Sequence, residues 1–221
     1  YTVEVVYQEY SSSENYHGLT TVVIPETITY DGNTYSLTSI GQSAFEQCSS
    51  LTSVIIGDSV KSIDLGAFSS CQNLTSLVIG NSVTSIIQCA FVSCTSLTNV
   101  IIPNSVTEID WGAFWKCSGL THLTIGKNVT FINQNAFADC CNLTSITLLP
   151  EAPPTCSNDA WAFVSSSTPI YVPCGCVDAY KNADGWSSFY NIQELLSGYN
   201  LEVYKKFSDM GIVQVDKNLF R

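Results

Sequence analysis

Positive charge is scarce in this chain. Lysine and arginine together number 8 against 19 aspartates and glutamates, a formal net charge of -11 at pH 7. Nucleic acid and anionic membrane surfaces are bound through clustered Lys and Arg, so the composition argues against both partners. Histidine is nearly absent: His17 and His122 are the two, and neither stands in a metal-ligand spacing. There is no Gly-x-Ser-x-Gly elbow, phosphate loop or dinucleotide fingerprint. The sequence therefore predicts no enzyme, no cofactor and no bound metal. No apolar run reaches the length of a membrane span, which predicts no membrane insertion by this segment. No apolar signal segment opens the chain, which leaves a cytosolic protein or one whose export signal has been removed. Charged residues are only 12% of the 221, whereas apolar residues are 45%. Serine, threonine and asparagine must carry the rest of the polar surface.

What the chain has in abundance is repetition. Phe45, Phe68, Phe91, Phe114 and Phe137 stand 23 residues apart. Alanine precedes each (Ala44, Ala67, Ala90, Ala113, Ala136). Three residues later comes cysteine (Cys48, Cys71, Cys94, Cys117, Cys140), and after three more leucine (Leu51, Leu74, Leu97, Leu120, Leu143). A period in the twenties marks a leucine-rich repeat solenoid. In the pattern Leu51-x-x-Val54-x-Ile56, alternation turns Val54 and Ile56 inward and Ser53, Ile55 and Gly57 outward. Val60 and Ile63 then re-enter the core. Gly66-Ala67-Phe68 is expected to begin a short helical or 3-10 turn, which Cys71 closes. The predicted fold is an α/β-type repeat solenoid, a right-handed coil with a parallel β-sheet on its concave face and short turns on its convex face. Stacked coils leave open sheet edges and a bare core at both ends, so both ends need caps.

The segments divide accordingly. Residues 1–34 lack the repeat but carry β-branched stretches, and Thr27–Tyr30, Asp31-Gly32 and Thr34–Leu37 read as a hairpin, because Asp-Gly tolerates the positive φ of a tight turn. They are expected to form an N-terminal β cap. Residues 35–149 are five repeats. Residues 150–198 are a degenerate last repeat and C-terminal cap, with Ala160-Trp-Ala-Phe163 as a worn Ala-Phe turn and Ile170–Val172 as a last strand. Residues 199–221 show no clear period and remain unassigned.

Ten cysteines invite a disulfide framework, but five occupy one repeat position where a buried apolar residue belongs. They read as a ladder of buried, reduced thiols acting as small hydrophobes. Cys89 replaces the turn residue that is Gly66, Gly112 or Asn135 elsewhere, and it is expected to be the most exposed thiol. Cys174-Gly-Cys176 lacks a companion cluster of metal ligands.

The pattern Ser-Val-x-x-Ile-x-x-x-Ala-Phe-x-x-Cys-x-x-Leu-Thr, at Ser59–Thr75, Ser82–Thr98 and Ser105–Thr121, resembles the BspA-like leucine-rich repeats of bacterial surface proteins. The ending Tyr171-Val-Pro173, Tyr180-Lys181, Gly185-Trp186 is similar to that family's terminal segment, and the resemblance covers roughly residues 20–195. It implies a secreted or surface-attached protein that binds host proteins or mediates adhesion, with no catalytic residues to transfer. Cys174 and Cys176 depart from it, standing where small or polar residues are expected, as does the tail after Leu196.

Two groups of residues are candidates for contact with a protein or glycan ligand. On the predicted concave face, Ile55, Val78 and Ile101 form an apolar stripe beside Ser53, Ser76, Asn99, His122 and Ser145. A third outward column is Gly57, Gly80, Pro103, Gly126 and Leu149. Exposed apolar patches often mark contact sites, but β-branched residues also simply suit strands. In the fourth repeat Trp111 and Trp115 stand four apart and share a face if their turn is helical, either as a binding hot spot or as packing. A passive spacer within a larger envelope protein and a cytosolic scaffold are the alternative functions.

Overall fold

Each repeat supplies two β-capable stretches and one turn, and the three become the three sides of a coil. The structure, a computed structural model, describes residues 2–5, 18–157 and 159–195; His17 and the 199–221 tail lie outside the described residues. The strands are β1 (Thr2–Val5), β2 (Thr21–Ile24), β3 (Thr27–Tyr30), β4 (Asn33–Ile40), β5 (Ser53–Ile56), β6 (Ser62–Ile63), β7 (Ser76–Val78) and β8 (Ser85–Ile86). They continue with β9 (Asn99–Ile102), β10 (Glu108–Ile109), β11 (His122–Ile125), β12 (Phe131–Ile132), β13 (Ser145–Leu148), β14 (Thr155–Cys156), β15 (Ile170–Val172) and, after the helix α1 (Val177–Lys181), β16 (Ile192–Glu194).

On the first side run the longer of each repeat's two strands, in two parallel groups ordered β2-β5-β7 and β9-β11-β13-β15-β16. The second side is the parallel series β4-β6-β8-β10-β12-β14, begun by β1 and by the antiparallel hairpin β3–β4. Asp31 and Gly32 both adopt positive φ at the hairpin tip, as a two-residue reverse turn requires.

The third side is where the structure differs from the expected helical turns. The turns of the five repeats each use two left-handed residues, Gly66 and Ser70 in one coil, Gly112 and Lys116 two coils on. A residue with positive φ ends a helical run, and here it turns every second N–H toward the next coil. Gly66, Phe68 and Ser70 donate to the carbonyls of Gln88, Ala90 and Val92 at 2.8–3.1 Å. The turns are thus a third hydrogen-bonded ladder, and α1 is the one α-helix among the described residues.

Inside, side chains stack in columns. Val60, Val83, Val106 and Val129 form one, and Ile63, Ile86, Ile109 and Ile132 another, all buried. Phe45, Phe68, Phe91, Phe114 and Phe137 stack face to face with centroids 5.1–5.5 Å apart. Trp161 adds the sixth ring, 4.8 Å from Phe137. Within the worn turn Ala160-Trp-Ala-Phe163 it is therefore Ala160-Trp161 that keeps the Ala-Phe place, while Phe163 is 79% exposed in the left-handed position.

The cysteine ladder is buried and reduced as expected, and it does more than fill space. The thiols of Cys71, Cys94, Cys117 and Cys140 donate to the carbonyls of Phe45, Phe68, Phe91 and Phe114 in the preceding coil at 3.1–3.3 Å. Burial pushes Cys94 and Cys140 up to about 12, so these thiols stay protonated and unreactive at neutral pH. Cys89 departs from expectation. It is half-buried, because its left-handed backbone lays the sulfur against Gly112 of the next coil, whereas Cys141 and Cys174 are exposed.

The Ser, Thr and Asn content links coils across the outside. The hydroxyls of Thr75, Thr121 and Thr144 donate to the carbonyls of Thr52, Thr98 and Thr121 one coil earlier. The amides of Asn73, Asn128 and Asn142 reach Ser49, Asn104 and Ser118 in the same way.

At the C-terminal end Trp186 is fully buried, 5.3 Å from Trp161, and its indole N–H donates to the Pro154 carbonyl at 2.8 Å. The Tyr180 hydroxyl donates to the Pro150 carbonyl at 2.8 Å. Gly185, at positive φ and too close to Cys156 for a Cβ, gives the bend that tucks Trp186 under.

Candidate binding surface

The long-strand sheet holds its outward residues in register. Val23 pairs with Ile55 and Ile55 with Val78; Ile101 pairs with Thr124, Thr124 with Thr147 and Thr147 with Tyr171. The stripe expected from Ile55, Val78 and Ile101 is therefore longer by one residue at its N-terminal end. Val23 is 58% exposed and Ile55 41%, while Val78 and Ile101 are half-buried by their neighbours along the column. Val23 escaped the sequence reading because it precedes the repeats. The run Val22-Val23-Ile24 does not alternate in residue type; the burial does, with Val22 and Ile24 inward and Val23 outward.

Ser53 and Ser76 flank the stripe in register, as do Asn99, His122 and Ser145 further along. His122 is exposed, with Nδ1 2.9 Å from the Thr121 hydroxyl. The third column differs from expectation: Gly80, Pro103 and Gly126 are buried. A Cβ at Gly126 would lie 2.4 Å from the Pro103 carbonyl oxygen, and one at Gly80 2.4 Å from that of Gly57. The chain turns there against the preceding coil, so small residues serve backbone approach rather than a ligand.

Trp111 and Trp115 do share a face, edge to face with centroids 5.7 Å apart, on the turn side rather than the sheet. Both are half-buried. The Trp115 indole N–H is already bonded to Asp139 of the next coil at 2.9 Å, and the Lys116 ammonium sits 4.6 Å over the Trp115 ring. Polar handle and ring face of Trp115 are thus both engaged within the molecule, while Trp111 is held by its edge contact with Trp115. His122 lies on the sheet, so the structure does not join it to the tryptophans. Among the described residues no three of His, Cys, Asp and Glu are placed to hold a metal ion, and no helix is long and apolar enough to cross a membrane.

The repeats themselves decide the kinship. The family model for the BspA type leucine rich repeat region matches residues 38–161 in six copies. The chain belongs to the BspA-type leucine-rich repeat family. The sixth copy of this BspA-type array reaches Trp161, the last ring of the aromatic stack. A T. pallidum leucine-rich repeat protein, TpLRR, is similar in fold, with a TM-score of 0.55 and 23% identity over 78% of this chain and 85% of that one. The pneumococcal vaccine antigen PcpA is similar with a TM-score of 0.64 and 16% identity, over 81% of this chain and 56% of that one. The curated proteins hold no match. Solenoids of the leucine-rich type commonly bind through extended surfaces.

Proposed function

We propose that this chain is a secreted or surface-attached module that binds a protein partner, on the face carrying Val23, Ile55, Val78 and Ile101. One observation carries the reading. The same outward column is valine and isoleucine in its N-terminal half and Thr124 and Thr147 further on. Threonine satisfies the β-branched preference of a strand as well as valine or isoleucine does. Strand propensity therefore does not explain the apolar half, and exposed contiguous apolar surface is a mark of contact sites. Small neutral neighbours, Ser53, Ser76 and Asn99, let a partner's apolar side chains approach without stripping water from buried charge. The tryptophan pair is left out of this surface, because it lies on the turn side rather than the sheet and Trp115 already has its indole N–H on Asp139 and its ring under Lys116.

The test is binding of the purified chain to immobilised host-surface proteins and mucin glycans beside an Ile55→Ser/Val78→Ser/Ile101→Ser variant. Saturable binding to a protein is expected, and the variant is expected to weaken it at least about tenfold, or about 1.4 kcal/mol. Equal affinity of the variant would remove the stripe as the site. A chain that binds none of these surfaces would favour a passive spacer.

A further inference from the structure

Eight of the ten cysteines offer no partnered, reachable thiol. Cys48, Cys71, Cys94, Cys117, Cys140 and Cys156 are buried, and Cys89 is half-buried against Gly112. Cys141 is exposed, but its chain neighbour Cys140 is buried and donates inward. Cys174 and Cys176 are different. They lie on one surface turn, Pro173-Cys174-Gly175-Cys176, closed by the Cys176 N–H donated to the Pro173 carbonyl at 3.0 Å. Gly175 takes φ +79 at the third place, with nothing within 4 Å of where its Cβ would stand, the form of a type II turn. Cys174 is exposed and Cys176 half-exposed. Two residues span at most about 7 Å even when extended, and a closed turn shortens that toward the roughly 4.4–6.8 Å between Cα atoms that a disulfide bridges.

We infer that Cys174 and Cys176 are a redox-active dithiol that exchanges with small-molecule disulfides and closes on itself within the turn. In the first step one cysteine gives up its proton and its thiolate attacks a sulfur of the disulfide RSSR. The S–S bond breaks, one RS⁻ leaves and takes up a proton, and a mixed disulfide remains. The second thiolate then attacks the protein sulfur of that mixed disulfide and expels the other RS⁻. Two protein thiols are oxidised by two electrons and one RSSR becomes two RSH. A ring closed over a single intervening residue is strained, so the bond is a labile one that thiols reopen.

Glu194 governs the rate. One oxygen of its carboxylate accepts the Gly175 N–H at 2.9 Å, and the other lies 3.6 Å from the Cys174 sulfur. The negative charge beside Cys174 holds its thiol above the ordinary range and keeps it protonated, which slows attack at neutral pH. The same contacts tie β16 to the turn.

The experiment treats the folded full chain with hydroxyethyl disulfide at pH 7, quenches with acid, and maps thiols by intact mass and peptide analysis. The expected product has the peptide carrying Cys174 and Cys176 lighter by about 2 Da, the two joined and reopened by dithiothreitol, with the exposed Cys141 carrying a mixed disulfide and the core thiols unmodified. Cys176→Ser is expected to stop at a mixed disulfide on Cys174. Glu194→Gln is expected to close at least about twofold faster. A stable mixed disulfide on Cys174 of the unaltered chain, with Cys176 still free, would overturn the inference. So would both thiols remaining unreacted when Cys141 has been modified.

Discussion

Replacing Phe91 by alanine is expected to lower the stability of the folded chain by about 3–5 kcal/mol, the range for removing a large buried aromatic. Phe91 has no exposed surface and lies between Phe68 and Phe114 at centroid distances of 5.3 and 5.2 Å. Those neighbours belong to adjacent coils, fixed by the turn-side ladder in which Phe91 N–H donates to Ala113 and Phe68 N–H to Ala90. They cannot close into the gap without breaking that ladder, so most of the cavity persists. Contacts in a solenoid run mainly between neighbouring coils, so the loss falls on both interfaces of the third repeat. Urea denaturation is the measurement. Phe163→Ala is the comparison: its ring is exposed, so the change should stay within about 0.5 kcal/mol. Similar losses for the two would mean that the stack is not what holds the coils together.

Trp186→Ala is expected to act at the end of the array. Its ring meets Trp161 at 5.3 Å and Tyr180 at 5.5 Å, and its indole N–H satisfies the Pro154 carbonyl. Truncation removes about 3–5 kcal/mol of aromatic burial and leaves that carbonyl without its partner, a further cost of about 1–3 kcal/mol if water cannot reach it. Terminal repeats lean on a neighbour on one side only, so fraying should begin there and run inward. Hydrogen exchange is expected to quicken over residues 150–195 well before residues 60–130. Trp186→Phe keeps the ring but not the donor and should cost far less. Uniform acceleration along the whole chain in Trp186→Ala would show instead that the array unfolds as one unit.

The parts of this fold that were legible in the sequence are those that repeat. Phe, Cys and Leu at a fixed period marked the coil, and the alternation in Ser53–Ile56 separated core from surface because a strand has only two faces. The turns were harder to read. Ser70, Ser93 and Lys116 have little in common as residues, yet each sits at positive φ, a choice imposed by hydrogen bonds to the next coil. The same cause hid the half-burial of Cys89. Gly80 and Gly126 look like outward positions by alternation alone. Only the distance to the preceding coil's carbonyl shows that they are points of close approach. For the candidate site, Ile55, Val78 and Ile101 were legible from the period, but Val23 was not, because register between a cap strand and the first repeat is not written in a repeat pattern. Trp111 and Trp115 stood out as unusual residues. That the Trp115 donor is taken by Asp139 is a matter of side-chain placement across coils.

We propose that this BspA-type solenoid meets its partner through the apolar half of its long-strand sheet. Hydrogen exchange of the chain, alone and saturated with the panel protein that binds it most tightly, tests this most directly. Slowed exchange is expected in residues 21–24, 53–56, 76–78 and 99–102, with residues 110–117 around the tryptophan pair unchanged. Protection centred on residues 110–117, with the strands unaffected, would contradict it.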